Sequence, residues 1–357
     1  MTEPVFLPVP RLLVIMPNWI GDAIMAQPLL ALLKRRYPDH AIDVLASAWI
    51  APVLYSMAEV DTVLESTFKR GTFSLRQYWR YAQILRQKRY EQAYVLPNTI
   101  KLALLPWFAG IKTRIGYKGE NRYGLINVMH HDNRQAPRAM VPFYAALASA
   151  PSRVAPAAVH RPVLQMPRAQ VDMVMGMHRL SAQHTVVTFA PGAEFGGAKR
   201  WPAVHFADLA HQILQSDPST QILLLGSPAD TKVCDIIKIL CPEVHQLAGK
   251  TSLDQAIALI AATNAMVSND SGLLHMASAL NRPVIALYGP TDPHHAPPFS
   301  DIAKSIFLNL SCAPCRQREC PLGHQNCMQK ISSDQVWQSL EPMLKKAPKM
   351  PVFKNMS

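Results

Sequence analysis

A ten-residue segment in the second half of the chain, Val267-Ser-Asn-Asp-Ser-Gly-Leu-Leu-His-Met276, combines an acid, a histidine and a small-residue turn. It passes from a strand pattern directly into a helical one, so Ser271 and Gly272 let a ligand approach backbone N–H groups where the helix dipole adds roughly half a positive charge. Asp270 would repel an adjacent phosphate, so we assign it to a hydroxyl or to the loop, with helix capping as the alternative. His275 lies one turn into the helix and can point back at the ligand. The segment predicts an anion site.

A glycine-rich segment, Ala190-Pro-Gly-Ala-Glu-Phe-Gly-Gly-Ala-Lys-Arg-Trp-Pro202, precedes it in the chain. Three glycines permit close backbone approach, and Lys199 and Arg200 bring positive charge to the end of a strand. A flexible loop leading into a helix at Pro202 would explain the prolines but not the paired basic residues. We therefore expect a diphosphate to lie between this segment and the helix start at Ser271.

A third segment, Pro17-Asn-Trp-Ile-Gly-Asp22, follows the first apolar run and precedes a helical pattern. A carboxylate at that point is placed to accept a proton from an attacking hydroxyl. The alternative for Asp22 is an ordinary helix N-cap. The sequence thus offers a candidate base in its first half and a candidate anion site in its second.

Several nucleotide-binding patterns are missing from the sequence. There is no Gly-x-Gly-x-x-Gly, which disfavours a dinucleotide-dependent oxidoreductase. The segment Gly249-Lys250-Thr251 matches the end of a Walker A loop, but Val244 stands where its first glycine should be, and Ser252 with Gln255 predicts a capping box. No Asp-x-Asp pair is present to hold a metal on a diphosphate, so the protein itself must neutralise that charge.

Four of the six cysteines crowd into one stretch, Cys312-x2-Cys315-x4-Cys320-x6-Cys327, with His324 inside it. This is enough soft ligands for structural zinc, although the later spacings are not those of a standard zinc ribbon. Reduced thiols explain the stretch equally well. Cys234 and Cys241, on or near a helix, are most simply core residues.

The elements that position these segments alternate between strands and helices, which predicts an α/β fold with parallel sheets and a Rossmann-like arrangement in each half. Ligands of such sheets bind beyond the carboxyl ends of the strands, where all three segments fall. The predicted strands are 11–16, 42–46, 92–96, 185–190, 221–225, 265–268 and 284–288. The predicted helices are 23–37, 75–89, 203–215, 229–240, 253–262, 273–280 and 334–346.

Length and composition fit two domains. The chain has 357 residues, 49% of them apolar, which suggests two domains of roughly 150 residues each. The composition shifts to Pro, Ala and Arg from Pro151 to about Gln183, which is typical of an interdomain connection. We expect an amino-terminal domain over 1–165, a linker over 166–183, a carboxyl-terminal domain over 184–333, and a helix and tail over 334–357 that could pack back across the domain boundary.

The net charge of the chain indicates the class of its partner. Lys and Arg exceed Asp and Glu by 36 − 24 = 12, so we expect an anionic partner: a nucleotide, a nucleic acid or a phosphorylated lipid surface.

The longest apolar run, 102–111, is about half of the roughly 20 residues that span a bilayer, and residues 1–10 show no secretory pattern. We expect the chain to stay in the cytoplasm.

Taken together, these motifs resemble the ADP-heptose:lipopolysaccharide heptosyltransferases, most closely their type II group, which are inverting glycosyltransferases of the GT-B fold. The resemblance covers about residues 12–298. It rests on the Gly21-Asp22 turn and the two strand-end segments, and on four further matches: Tyr94-Val-Leu-Pro-Asn98, Lys101, Arg122-Tyr-Gly-Leu125, and Leu280-Asn-Arg-Pro-Val-Ile-Ala-Leu-Tyr-Gly-Pro290.

The resemblance implies two Rossmann-like domains facing a central cleft, the acceptor on the first and ADP-heptose on the second. Asp22 would be the general base of an inverting displacement, and Lys199 with the Ser271 and Gly272 amides would stabilise the departing ADP. Asp230 would bind the ribose. The full set of implied donor-binding residues is Gly192, Glu194, Lys199, Asp230, Asp270, Ser271, Gly272 and His275, and that of acceptor-binding residues is Asn18, Lys101 and Arg122.

The same resemblance implies transfer of L-glycero-D-manno-heptose to the first heptose of the lipopolysaccharide inner core, without a metal cofactor. A phosphorylated acceptor and an anionic membrane face would account for the net charge of +12 and for Lys101, Arg114, Lys118 and Arg122 near the strand ends. We expect a monomer that touches the inner face of the inner membrane peripherally.

Three alternatives stay open. The first is a heptosyltransferase of type I or III, and the second is a nucleotide-sugar epimerase of the same architecture, which would need no acceptor. The third is a basic nucleic-acid-binding protein. No helix-turn-helix, zinc-finger or stacked-aromatic motif supports the third, and the basic residues are scattered along the chain.

Overall fold

The computed structural model describes residues 9–66, 68, 74–133, 138–152 and 159–346. The chain divides into two compact units, Met1–Pro162 and Val163–Ser357, which are described separately below. The boundary falls three residues before the end predicted for the amino-terminal domain.

The first unit is a parallel sheet. Its strands within the described residues are β1 (Arg11–Ile15), β2 (Ala41–Ser47), β3 (Thr62–Ser66), β4 (Gln92–Val95), β5 (Thr113–Tyr117) and β6 (Val128–His130). They lie in the order β3-β2-β1-β4-β5-β6, with every neighbouring pair parallel. The central strands are buried on both faces, as a parallel sheet covered by helices requires.

Helices connect these strands. They are α1 (Ile20–Met25), α2 (Gln27–Arg36), α3 (Ala51–Tyr55), α4 (Leu75–Gln87), α5 (Ile100–Phe108) and α6 (Met140–Ala145), with 3-10 turns at Ala48–Ile50 and Ala146–Ala148. The helix predicted over 23–37 is in fact two helices that meet at Ala26. The physical reason is Pro28, which lies in the first turn of α2, where a residue without an N–H is tolerated.

The second unit repeats the architecture. Its described strands are β7 (Val186–Ala190), β8 (Gln221–Leu224), β9 (His245–Gln246), β10 (Ala265–Asn269), β11 (Val284–Tyr288) and β12 (Ala303–Phe307). The order is β12-β11-β10-β7-β8-β9, again parallel throughout. Both sheets match the α/β prediction.

The helices of the second unit are α7 (Arg168–Met177), α8 (Ala203–Ser216), α9 (Thr231–Leu240), α10 (Leu253–Ala262), α11 (Gly272–Ala279), α12 (Asn326–Gln329) and α13 (Ser333–Lys346), with 3-10 turns at Gly197–Lys199 and Pro228–Asp230. The segment predicted as a linker, 166–183, contains α7. This helix buries Val171, Val174 and Met175 and packs against α10, so the segment belongs to the second unit.

The carboxyl-terminal helix packs within the second unit, where α13 contacts α8, β10 and β11. The predicted tail after Lys346 and the first eight residues lie outside the described part of the chain. Among the described residues, no helix is both long and apolar enough to span a bilayer.

Candidate active site

An ion pair joins the two predicted ligand segments of the second unit. Lys199 follows β7 and Asp270 follows β10, and the Lys199 Nζ lies 2.5 Å from the Asp270 Oδ2. β7 and β10 are parallel neighbours, which brings their carboxyl ends together. The structure therefore brings together the glycine-rich segment and the helix start, as the sequence predicts.

The helix start itself is α11. Ser271 is its N-cap residue, in an extended conformation, and its side chain makes no capping hydrogen bond to the helix. The first N–H groups of an α-helix have no partner within that helix. Together with the Lys199 ammonium, these groups form the positive end of the site.

His275 lies on the first turns of α11 and is 6% exposed. Burial lowers the pKa of this imidazole, the Asp270 carboxylate opposes the shift, and the Lys199 ammonium adds to it. The ring is therefore neutral near pH 7. A neutral imidazole can donate one hydrogen bond and accept another, which suits a sugar hydroxyl or a phosphate oxygen.

Gly192 and Asp230 lie against each other at the ends of β7 and β8. A Cβ atom at Gly192 would overlap the Asp230 carboxylate, so glycine is required here. Asp230 is 8% exposed, and its Oδ2 accepts hydrogen bonds from the Ser227 N–H at 3.0 Å and the Ser227 Oγ at 2.7 Å. Its Oδ1 lies 3.5 Å from Arg200. Asp230 thus caps a turn while lying at the same sheet edge as Lys199.

Two residues that the sequence analysis did not select complete this arrangement. The Thr291 hydroxyl donates to the Asp270 Oδ2 at 2.7 Å, and the Asn269 side chain donates to the Pro191 carbonyl at 2.8 Å. Asn269 also accepts the Trp201 N–H at 3.1 Å. Asn269 lies in the segment of residues 267–276, but only the fold shows that its side chain connects β10 to the glycine-rich segment. Glu194 is exposed on that segment.

In the first unit, Asp22 lies in the first turn of α1, beyond the carboxyl end of β1. Its carboxylate accepts a hydrogen bond from the Tyr144 hydroxyl of α6, and this bond and the carboxylate charge add to burial in raising the pKa of Tyr144 well above 10. Tyr144 is 5% exposed, whereas Asp22 is half-buried. The buried Tyr144 hydroxyl thus fixes the position of the Asp22 carboxylate, the candidate base.

The three predicted acceptor residues have different environments. Asn18 is exposed and accepts the Ser47 hydroxyl at 2.9 Å, and Lys101 is exposed at the start of α5. Arg122 is 1% exposed and donates to the carbonyls of Tyr117 and Pro97 and to the Asn98 side chain. Burial lowers its pKa to about 10. These bonds hold the guanidinium inside the fold, so the structure does not present Arg122 to a ligand as predicted.

Arg114, predicted to belong to the basic face, is held in a similar way. Its guanidinium donates to the carbonyls of Leu125, Ile111 and Gly124. The structure therefore uses both Arg114 and Arg122 to fasten the backbone around β5. Lys101 and Lys118, the other two residues of the predicted basic face, are exposed.

The four clustered cysteines are half-buried, free thiols. Burial raises the pKa of Cys327, and the neighbouring thiols Cys315, Cys312 and Cys320 contribute in that order. Backbone N–H groups lower the pKa of Cys320. Within the part of the chain that the structure describes, no three or more His, Cys, Asp or Glu side chains are grouped so as to hold a metal ion. The structural zinc that the spacing suggested stays a prediction.

The chain thus has two Rossmann-like α/β units, each with polar residues at the carboxyl edge of a six-stranded parallel sheet. The profile of glycosyltransferase family 9 (heptosyltransferase) matches residues 78–326. The chain belongs to this family.

Curated relatives and a solved structure agree with that assignment. The chain is 40% identical over 344 residues to lipopolysaccharide heptosyltransferase 2 of Escherichia coli K12, covering 94% of this chain and 98% of the relative. It is 41% identical over 311 residues to lipooligosaccharide heptosyltransferase 2 of Haemophilus influenzae, covering 84% and 88%. The solved structure of E. coli ADP-heptose lipopolysaccharide heptosyltransferase II matches with a TM-score of 0.84 at 38% identity, covering 94% of this chain and 99% of that one.

Proposed function

We propose that this chain transfers L-glycero-D-manno-heptose from ADP-heptose to the first heptose of the lipopolysaccharide inner core, with inversion at the anomeric carbon. The observation that carries the proposal is the 40% identity to lipopolysaccharide heptosyltransferase 2 over 94% of the chain. The anion site around Lys199 and α11 supports it, because a nucleoside diphosphate is the leaving group of such a transfer.

The second unit would hold the donor. The Lys199 ammonium and the Ser271 and Gly272 amides would bind the diphosphate, whose negative charge grows as the bond to the sugar breaks. Asp270 and His275 would contact the sugar hydroxyls or a phosphate oxygen. The protein supplies all of this positive charge, so the proposed reaction is metal-independent.

Asp230 would bind the ribose, with Gly192 and Glu194 beside it. Asp230 Oδ2 already accepts two hydrogen bonds from Ser227, and Oδ1 faces Arg200. A carboxylate has about four lone-pair sites, so it can accept ribose hydroxyls in addition. Gly192 leaves the space that the Asp230 carboxylate occupies.

The first unit would supply the base. As the acceptor oxygen forms its bond to the anomeric carbon, the bond from that carbon to the diphosphate breaks and its electrons leave with ADP. The acceptor hydroxyl passes its proton to the Asp22 carboxylate. The Tyr144 hydroxyl donates to the same carboxylate and fixes its position, so we propose Tyr144 as a positioning residue.

Asn18 and Lys101 would contact the acceptor, since both are exposed at the carboxyl edge of the first sheet. For Arg122 we now propose a different role. Its bonds to Tyr117, Pro97 and Asn98 position the loop after β4, which leads to Lys101. Arg122 would thus act on the acceptor through the loop.

The partners follow from the substrates. The acceptor would be a phosphorylated lipopolysaccharide core on lipid A, as in a Gram-negative bacterium, and the enzyme would work as a cytoplasmic monomer at the inner face of the inner membrane. Nucleic acid would not be a partner. The relatives named above support this placement through their lipopolysaccharide and lipooligosaccharide substrates.

Incubation with ADP-heptose and defined core acceptors, followed by mass analysis, tests the proposal. We expect one heptose to be added to an acceptor that already carries one heptose. Addition only to an acceptor with none, or only to one with two, would identify a type I or type III activity instead. Isomerisation of ADP-heptose in the absence of any acceptor would identify an epimerase and overturn the proposal.

A further inference from the structure

Helix α4 exposes large apolar side chains although its inner face is already packed. Tyr78, Ala82 and Leu85 are buried against the sheet. On the solvent side, Trp79 is 53% exposed and Ile84 is 52% exposed. Single exposed apolar residues are ordinary, but several on one surface indicate a binding partner.

The same face is basic. The 13 residues of α4 include three arginines, at 76, 80 and 86, and no Asp or Glu. At 100° per residue, Arg76 and Arg80 project near the centre of the exposed face, with Trp79 on one side and Ile84 on the other. Two arginines therefore lie at the centre of the exposed face, with a large apolar side chain on each side of them.

Helix α5 lies beside α4. It packs against α4, and its Trp107 is 49% exposed. Leu75, at the start of α4, is 56% exposed. We call the resulting patch the α4–α5 surface and define it by Leu75, Arg76, Trp79, Arg80, Ile84 and Trp107.

We propose that the α4–α5 surface binds an anionic lipid bilayer. Tryptophan settles at the boundary between headgroups and acyl chains, and long arginine side chains reach from an apolar face to the lipid phosphates. Each basic residue at an anionic leaflet adds about 1 kcal/mol of attraction, which a neutral surface does not supply. Because α4 has three arginines and no Asp or Glu, its charge favours an anionic bilayer over a neutral one.

The position of the surface fits the proposed function, on which this inference rests. β1, β3 and β4 are parallel, so α4 begins beyond the carboxyl end of β3, at the sheet edge where Asp22 also lies. Leu75, Arg76 and Trp79 occupy that end of α4. Trp107 lies towards the other end of α4, because α5 begins after β4 and runs back to the neighbourhood of Arg86. A bilayer bound along α4 would therefore reach the edge where a lipid-linked acceptor must be presented.

A second exposed apolar face shows why charge matters. In α9, Ile236 is 50% and Ile239 77% exposed. That helix also carries Asp235, and its Lys238 donates to two backbone carbonyls at the helix end. The helix also carries Lys232, so its net charge is +1 against the +3 of α4, and it provides the less basic control surface.

Vesicle cosedimentation of the full-length chain tests the proposal. We expect binding to vesicles of phosphatidylcholine with 30% phosphatidylglycerol, weak binding to pure phosphatidylcholine, and loss of binding as salt is raised. The Arg76→Glu/Arg80→Glu variant should lower the partition coefficient by at least about thirtyfold. Trp79→Ala should weaken binding with the charge unchanged.

Matched controls isolate the surface. Lys232→Glu/Lys304→Glu makes the same change in net charge on the second unit, and Ile239→Ala removes an equally exposed apolar side chain. Both should bind vesicles like the unchanged chain. Equal loss in the charge control would mean that net charge alone drives binding, and would overturn the proposal.

Activity separates this inference from the proposed function. On a lipid-free core acceptor, Arg76→Glu/Arg80→Glu should retain its turnover, while on acceptor embedded in vesicles it should lose it. If the unchanged chain shows no preference for anionic vesicles, the surface does not bind lipid even if transfer is intact. Self-association or duplex DNA binding that disappears with the same variant would assign the surface to a second copy or to nucleic acid, and would likewise overturn the proposal.

Discussion

The Lys199 Nζ lies 2.5 Å from the Asp270 Oδ2, and the two side chains are only 12% and 10% exposed. A lysine in such a pair is already neutralised, so a diphosphate can gain from it only by sharing it with the carboxylate. Thr291 donates to the same Oδ2, which allows Asp270 to remain satisfied while the ammonium turns toward a ligand. The Asp270 carboxylate therefore keeps the Lys199 ammonium paired at the site until a ligand binds.

Replacing the lysine should affect both binding and stability. Lys199→Ala removes a charged hydrogen-bond donor, so we expect ADP affinity measured by calorimetry to fall by about 10- to 100-fold, with turnover falling as well. The Asp270 carboxylate loses its main partner, so the free energy of unfolding should drop by about 1–3 kcal/mol.

The double variant Lys199→Ala/Asp270→Asn separates these effects. A neutral amide at 270 needs no counter-charge, so much of the stability should return, while ADP affinity should stay low. Unchanged ADP affinity in Lys199→Ala would remove this residue from the donor site.

Asp22→Asn should fold normally and lose roughly 10²- to 10⁴-fold in turnover, the usual scale for a general base. ADP affinity should not change, because Asp22 lies in the first unit and the donor residues lie in the second. Steady-state kinetics with saturating donor measure the effect. Turnover near that of the unchanged enzyme would rule out the role of base.

Tyr144→Phe tests the positioning role. It deletes one hydrogen bond to Asp22 and keeps the buried ring, so we expect a loss of about 1 kcal/mol in stability and roughly tenfold in kcat. The fall should appear in kcat rather than in the KM for ADP-heptose. A stability loss with kcat intact would make Tyr144 merely structural.

The sequence predicted the buried strands well, because strands covered on both faces are short apolar runs. The predicted strand over 284–288 coincides with β11, and that over 11–16 extends one residue past β1. The sequence analysis did not find β3, β5, β6, β9 or β12. β3 has no buried residue and β12 has only one, so neither shows the apolar run of a central strand.

The sequence predicts site contacts where the ends of parallel strands meet, and misses those made by side chains from other parts of the fold. The pairing of Lys199 with Asp270 follows from two adjacent parallel strands. Tyr144 reaches Asp22 from a helix far along the chain, and no spacing in the sequence reveals that contact. Arg122 carried the expected residue type, but burial and three acceptors hold it within the fold.

His130 makes stability dependent on pH. It is fully buried, and neither ring nitrogen has a hydrogen-bond partner among the described residues. Burial lowers its pKa to about 4, with Arg138 and His131 adding to the effect. The unfolded chain takes up this proton near pH 6.5 and the folded one only near pH 4, so stability is lost as pH falls between these values.

The variant His130→Leu should flatten that dependence. From the two pKa values, the loss due to His130 is about 2 kcal/mol at pH 5 and nearly nothing at pH 7.5. Urea denaturation at both pH values measures the difference. An equally steep fall in the variant would assign the acid sensitivity to other groups.

The clustered cysteines should differ in reactivity. Backbone N–H groups lower the pKa of Cys320, while burial raises that of Cys327. Because the thiolate is the reactive form, iodoacetamide at neutral pH should label Cys320 first, as followed by peptide mass analysis. The two should react alike in urea. Adding a chelator should leave the labelling unchanged, and a chelator-dependent rise at all four cysteines would reveal a bound metal.

The glycine-rich segment is fixed by contacts with the loop of residues 318–319. The Ala198 N–H donates to the Arg318 carbonyl at 3.0 Å, and the Gly197 N–H donates to the Glu319 Oε1 at 3.1 Å. A Cβ atom at Gly196 would lie 2.8 Å from the Arg318 Cα, closer than side chains approach backbone. The segment that carries Lys199 thus rests directly on the loop of residues 318–319.

Gly196→Ala should therefore force these two backbones apart and displace Lys199. We expect weaker ADP binding by calorimetry, with little loss of stability because the contact lies in loops. Gly176→Ala is the matched control: a Cβ there meets no atom within 4 Å, and alanine should stabilise α7 by up to about 1 kcal/mol without affecting ADP. Glu319→Gln keeps an acceptor for the Gly197 N–H and should bind ADP normally, whereas Glu319→Ala should bind it less tightly. If Gly196→Ala binds ADP as the unchanged chain does, the loop of residues 318–319 does not position Lys199.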